Sequence, residues 1–379
     1  VYEGVLTGEK TIEGKWKQAG MTFTLNLEKV KKAEKPKRPQ EPEKPYPYIS
    51  KEVEYKNSEN ENTIGGTLTL PEGEGPFPAV ILISGSGSQD RNETYFGHKP
   101  FLIISDHLTK NNIAVLRYDD RGVGKSTIGN NRDFNTKDLV KDVLAGVEFL
   151  KGFEKIDKSK IGLFGHSEGG IIAPMAYNEN PEDVAYLILF GGTGIRGDEV
   201  LLKQQEMILK AQGMTDEYIE SVHEMNKALY NIATGEEDKE LAQKKLLKII
   251  SEADTPLEKI DPEEFSTPYK QKVDLLLSNW FRFFLSFDPS ETLSKVKCPV
   301  LAMNGTKDLQ VYYQDNLKSI EENLKKAGNE NYKIVKLEGI NHMFQEAETG
   351  LIIEYKEIEQ TVAPIVLDTI TNWIKEAVE

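Results

Sequence analysis

Apolar and polar side chains alternate strictly near the start of this chain. Met21, Phe23, Leu25 and Leu27 point one way and Thr22, Thr24, Asn26 and Glu28 the other, the period of a strand with one apolar face. With Ile12-Glu13-Gly14-Lys15-Trp16-Lys17 ahead of Ala19-Gly20, residues 1–30 are predicted to contain a hairpin. A few strands alone are marginal in water. Their apolar face therefore calls for a cover: upstream strands, the rest of the chain, or a second copy in a homodimer built through these strands. We read residues 1–30 as the tail of a larger antiparallel β domain. Residues 31–49 turn to charge and proline, with Pro36, Pro39, Pro42 and Pro45 at every third position. That is the period of polyproline II, and it predicts a semi-rigid spacer.

From residue 50 the pattern changes again. Apolar runs predict strands at 51–57, 63–70, 79–84, 113–118, 160–165, 184–190, 298–304 and 332–337. Helical periodicity predicts helices at 97–110, 136–152, 169–179, 313–327 and 362–378. The first two strands are expected to be antiparallel, turning near Ser58-Glu59-Asn60-Glu61. The later ones, interleaved with helices, imply a mostly parallel sheet covered on both faces. Between strands 184–190 and 298–304, about a hundred residues repeat at helical spacing: Leu201, Leu202, Ile208 and Leu209; Leu241, Leu246, Leu247 and Ile250; Val273, Leu275 and Leu276. This is too long for a plain connection and predicts a helical cap over about 194–290 of a domain spanning 50–379. Trp280-Phe281-Arg282-Phe283-Phe284 closes the cap. Trp280, Phe281 and Phe284 are candidates for a substrate pocket, with core packing the competing role for each ring.

Composition narrows the function. With 38% apolar and 29% charged residues, the 379-residue chain is of the soluble globular class, and it has no apolar run long enough to span a membrane. A formal charge of −15 argues against nucleic acid, which wants clustered cations. The single cysteine, Cys298, allows no intrachain disulfide; at the start of a buried strand pattern it is expected to act as a small core hydrophobe. The chain begins at Val1 without an initiator methionine or a signal-type apolar core, which suggests a removed leader or a piece of a longer chain.

The chemistry centres on Gly165-His166-Ser167-Glu168-Gly169, set between the apolar run Ile161-Gly162-Leu163-Phe164 and a helix-like stretch. Glycines two before and two after a serine let a strand-to-helix turn close while Oγ stands clear of the backbone. Such a serine needs a base, and the chain has five histidines: His98, His107, His166, His223 and His342. His166 lies inside the turn and points away from the nucleophile. His107 and His223 fall in helical patterns, and His98 stays open as a loop residue. His342, just past strand 332–337, sits where the ligand crevice of an open α/β sheet lies. Asp308, in the turn after strand 298–304, can hold its imidazole in the right tautomer. An aspartate bonded only to its own turn is the competing role. An oxyanion would take the N–H of Glu168 and one from Ser84-Gly85-Ser86-Gly87-Ser88. Ser86 is the choice there, with Gly85 and Gly87 as neighbouring options.

Four segments carry a resemblance: Ser84-Gly85-Ser86-Gly87-Ser88-Gln89-Asp90-Arg91-Asn92, Tyr118-Asp119-Asp120-Arg121-Gly122-Val123-Gly124-Lys125-Ser126, the serine turn, and Asn304-Gly305-Thr306-Lys307-Asp308-Leu309-Gln310-Val311. Together they resemble the bacterial α/β-hydrolase carboxylesterases, related to serine aminopeptidase-like and dienelactone hydrolase-like groups. The resemblance spans about residues 50–379. It implies an α/β-hydrolase fold and hydrolysis of short acyl esters by a Ser167, Asp308, His342 triad, with no metal or organic cofactor. It also suggests that Asp119, Asp120 and Arg121, like Asp90 and Arg91, brace the active-site face as ion pairs. Because such esterases often carry an extra N-terminal β module outside the cytoplasm, a periplasmic or secreted location is expected, with a cytoplasmic one open. A serine aminopeptidase-like peptidase, a thioesterase or an acyltransferase would use the same triad.

Overall fold

The computed structural model describes residues 2–18, 21–29, 37–252 and 256–379, with residues 16–18 and 21–23 described as backbone alone. The chain divides into two compact units, Val1–Lys37 and Arg38–Glu379. In the first, β1 (Tyr2–Leu6) pairs antiparallel with β2 (Thr11–Gln18), and β2 pairs in turn with β3 (Met21–Thr24) and β4 (Leu27–Glu28). The expected hairpin is thus part of a four-stranded sheet. Val5 and Leu6 are about two-thirds exposed, and Leu25 and Leu27 are exposed as well. The expected facing of Met21 and Phe23, the Ala19-Gly20 turn and residues 31–36 of the spacer lie outside the described residues.

From Arg38 the proline-rich run differs from the spacer expected over 31–49. Arg38 donates to the carbonyls of Phe96 and Ile358, and Gln40 both donates to the Val362 carbonyl and accepts the N–H groups of Thr361 and Val362. Tyr48 is buried and donates its hydroxyl to Asp106 at 2.9 Å. Proline period alone does not register such contacts, because they are made by the side chains between the prolines.

The second unit is built on β5 (Ile49–Asn57), β6 (Asn62–Leu70), β7 (Phe77–Ile83), β8 (Ala114–Tyr118), β9 (Ile156–His166), β10 (Tyr186–Phe190), β11 (Val300–Gly305) and β12 (Tyr332–Leu337). They form one sheet in the order β12-β11-β10-β9-β7-β8-β6-β5. β6 runs antiparallel to both of its neighbours, and every other pairing is parallel. The interior strands are apolar runs with almost no exposed residue, as strands buried on both faces require. Helix α1 (Pro100–Lys110) and the C-terminal α10 (Pro364–Val378) contribute to the core on one face, each opening with proline at a first-turn position where no N–H is needed. On the other face lie α2 (Thr136–Lys151), started by an Asn135/Asp138 capping box, α3 (Gly169–Glu179) and α9 (Tyr313–Lys326). Cys298 is buried in that core, and burial pushes its thiol up to about 12.

Between β10 and β11 run α4 (Gly197–Ala211), α5 (Asp216–Gly235), α6 (Lys239–Ser251), α7 (Thr267–Leu277) and α8 (Asn279–Ser286). Leu229, Ala233, Leu246, Leu247, Val273, Leu276 and Leu285 give this insertion a small apolar core of its own. The sheet order reverses around β7, which is flanked by β8 on one side and β9 on the other. A ligand crevice belongs at the carboxyl ends of strands at such a switch point. The loops after β7, β9, β11 and β12 all leave from those ends.

Leu116 on β8 is fully buried, whereas Leu275 on α7 is 50% exposed. Leu116→Ala should cost about 2–5 kcal/mol in urea unfolding, and Leu275→Ala less than about 0.5 kcal/mol.

Candidate active site

Ser167 follows β9 directly and precedes α3, and its backbone sits at φ +53°. A non-glycine residue in the left-handed region is strained, and only a well-determined turn keeps it there. The Ser167 N–H donates to Phe190 on the neighbouring strand at 3.0 Å, and its carbonyl accepts from Gly170 at 2.9 Å. The flanking glycines are required by close approach: a Cβ on Gly165 would stand 2.1 Å from the Gly169 carbonyl oxygen, and one on Gly169 would stand 2.4 Å from that of Ile83. The serine side chain is left on the wall of a cavity of about 280 Å³.

His342 lines the same cavity. Its Nδ1 lies 2.7 Å from Oδ2 of Asp308, a carboxylate with no exposed side-chain surface. The other oxygen of Asp308 accepts the N–H groups of Gln310 and Val311, each at 2.8 Å. The turn-bonded and histidine-bonded roles are therefore filled at once by the two oxygens. With Nδ1 donating to a carboxylate, the Nε2 of a neutral His342 keeps its lone pair. Asn341, which sequence reasoning passed over, shapes this loop: its side-chain oxygen accepts the N–H groups of Met343 and Gln345.

The loop after β7 is pinned from two sides. Gly85 donates its N–H to Glu93 Oε1 at 2.7 Å, which removes it as an oxyanion donor. The N–H groups of Ser86 and Glu168 have no acceptor among the described residues. The Glu168 side chain is buried, and its Oε1 accepts from Thr136 Oγ1 at 2.6 Å and from Trp280 Nε1 at 2.8 Å. Burial raises its pKa, with the Thr136, Trp280 and Ser86 hydrogen bonds opposing. Trp280 and its neighbour Phe281 line the cavity from α8, as does Phe284, which also belongs to the core beneath α3.

Other sequence expectations find different partners. His98 is buried between Thr361 Oγ1 and the Tyr355 carbonyl, with Gln345 also at its Nε2, and does not line the cavity. Asp119 does pair with Arg91, and Arg121 with Asp142. Asp120 forms no ion pair among the described residues: it accepts the Ser84 hydroxyl and the Gln89 N–H, and burial pushes it up to about 8. Asp90 likewise makes a turn, accepting from Asn92 and from Thr94. Short runs of charge, three residues at 119–121 and two at 90–91, do not distinguish turn formers from ion pairs. A second cavity of about 280 Å³, sharing Gly85 and Trp280 with the first, lies on the Asp120 side.

The profile of the family described as serine aminopeptidase, S33, matches residues 101–252, a stretch that includes Ser167 but ends before Asp308 and His342. Esterase EstD of Thermotoga maritima is 27% identical over 334 residues, covering 86% of this chain and 69% of EstD. The solved structure of a Pyrococcus furiosus esterase aligns over 88% of this chain and 92% of its own, with 16% identity and a TM-score of 0.52. That of VinJ aligns over 87% and 99%, with 14% identity and a TM-score of 0.51. At those identities the two structures speak for the fold. The chain has the α/β-hydrolase fold and is a hydrolytic enzyme, similar to esterases and to serine aminopeptidases.

Proposed function

We propose that this enzyme is a serine carboxylesterase acting on short acyl esters, with Ser167 as nucleophile, His342 as base and Asp308 as its orienting acid. The observation that carries the reading is the 2.7 Å contact between His342 and buried Asp308, on a cavity shared with a serine at φ +53°. Ser167 Oγ attacks the ester carbonyl and its proton passes to His342 Nε2. The imidazolium so formed is stabilised by Asp308. The oxyanion accepts from the N–H groups of Ser86 and Glu168, aimed where negative charge develops. Collapse breaks the C–O bond, and the alcohol leaves with the proton from His342. Water repeats the sequence on the acyl-enzyme and releases the acid.

Two features favour a neutral, small substrate. A peptidase that reads a free N-terminal amine needs an unengaged anion near the nucleophile. Among the described residues, the one carboxylate lining this cavity is Glu93, whose Oε1 already meets Gly85 and His166 and whose Oε2 is buried. A volume of about 280 Å³ lies at the lower end of ligand pockets, suited to a short acyl group.

Ser167→Ala should abolish p-nitrophenol release from p-nitrophenyl butyrate with thermal unfolding unchanged; near-wild-type turnover in the purified variant refutes the assignment. Asp308→Asn, which leaves the base in the wrong tautomer, should lower kcat by about 10³- to 10⁴-fold. On a panel of substrates, p-nitrophenyl butyrate should exceed both p-nitrophenyl palmitate and alanine p-nitroanilide in kcat/KM by at least about tenfold.

A further inference from the structure

Two buried titratable groups on the cavity take no part in the reaction as written: Glu93 and His166. Glu93 lies in the loop after β7 at φ +53°, and its side chain is 4% exposed. Its Oε1 accepts the Gly85 N–H at 2.7 Å and lies 2.8 Å from Nδ1 of His166. The other ring nitrogen, Nε2, lies 2.9 Å from the backbone carbonyl oxygen of His342. A carbonyl only accepts, so Nε2 carries a proton. Nδ1 faces a carboxylate oxygen already bound to an N–H. A neutral imidazole has one N–H, whereas the imidazolium has the two that these contacts use.

The surroundings agree. Burial by itself would lower the His166 pKa, but the Glu93 carboxylate, the His342 carbonyl and Asp308 together outweigh it, and the net shift is upward. The ring is boxed by Phe190, Phe344 and His342, with centroids 5.8, 4.6 and 4.7 Å away. A charge in such a place is tolerated only when it is paired and hydrogen-bonded.

We propose that the Glu93–His166 ion pair is a positioning device that ties the loop bearing the Ser86 oxyanion donor to the loop bearing His342, so that both are set against Ser167 together. At one end, holding the Gly85 N–H turns that amide away from substrate and leaves the next one, on Ser86, to face it. At the other, holding the His342 carbonyl fixes the backbone from which the catalytic imidazole projects. The His166 and His342 rings pack against each other, but the hydrogen bonds of the pair go to Gly85 and to the His342 backbone carbonyl, not to the His342 ring or the Ser167 hydroxyl. The two loops are far apart in the chain, and His166 is 73 residues from Glu93 and 176 from His342. The proposal rests on the assignment of Ser167 and His342 made above.

The test combines two variants with a spectrum of the unmodified enzyme. Glu93→Gln should lower kcat for p-nitrophenyl butyrate by about 10- to 100-fold while KM stays within about threefold, the signature of displaced machinery with binding intact. His166→Gln, which keeps a donor for the His342 carbonyl but not the charge facing Glu93, should move in the same direction. Should both variants keep wild-type kcat and lose only thermal stability, the pair is structural and the proposal fails. In the wild-type enzyme labelled with ¹⁵N-histidine, His166 should show both ring nitrogens protonated at neutral pH; one unprotonated nitrogen overturns it, whether or not the variants fold. If Ser167→Ala retained turnover, the esterase reading would fall instead, and the His166 spectrum would tell the two failures apart.

Discussion

A serine held in the left-handed region is the constraint from which the rest of this site follows. That conformation is costly, and it persists because strand β9 and helix α3 are pressed together where a Cβ on Gly165 or Gly169 would collide with backbone. The sharp reversal puts Ser167 on a cavity wall and leaves the N–H of Glu168 without an acceptor among the described residues. Strain at one residue is thus opposed by the packing of a whole strand and helix. The parallel sheet supplies the framework, since its buried strands fix the ends from which the neighbouring loops depart.

Around that turn, groups from distant parts of the chain are joined by single contacts. Asp308 follows β11 and reaches His342 beyond β12. Glu168, beside Ser167, accepts from Thr136 at the start of α2 and from Trp280 on α8, so the insertion between β10 and β11 is bonded to the serine turn itself. Motion of α8 would therefore be felt at the turn through one indole N–H. The aromatic residues of α8 divide their duties: all three line the cavity, where Trp280 and Phe281 remain half-buried, while Phe284 is buried and also belongs to the core beneath α3.

The sequence was a good guide wherever a period or a local motif set the structure. Strands such as Tyr186–Phe190 and helices such as Gly169–Glu179 fall where apolar spacing puts them. Ser167, Asp308 and His342 stand out because each sits in a short loop after an apolar run. Contacts made through backbone atoms across long stretches of chain leave no such trace. Arg38 and Gln40 meeting carbonyls some three hundred residues away belong to that class. Asp120 shows the same limit from the other side. In a row with Asp119 and Arg121 it reads as one more ion-pairing charge, yet its partners are a hydroxyl and a backbone amide.

The chemistry of this site depends on which side chain is the nucleophile. Incubation with a fluorophosphonate probe, followed by peptide mapping in a mass spectrometer, reads this directly. The adduct is predicted on Ser167, in the peptide that contains Gly165-His166-Ser167-Glu168-Gly169, at one probe per chain. Stoichiometric modification of any other residue, with Ser167 left free in an active preparation, would contradict it.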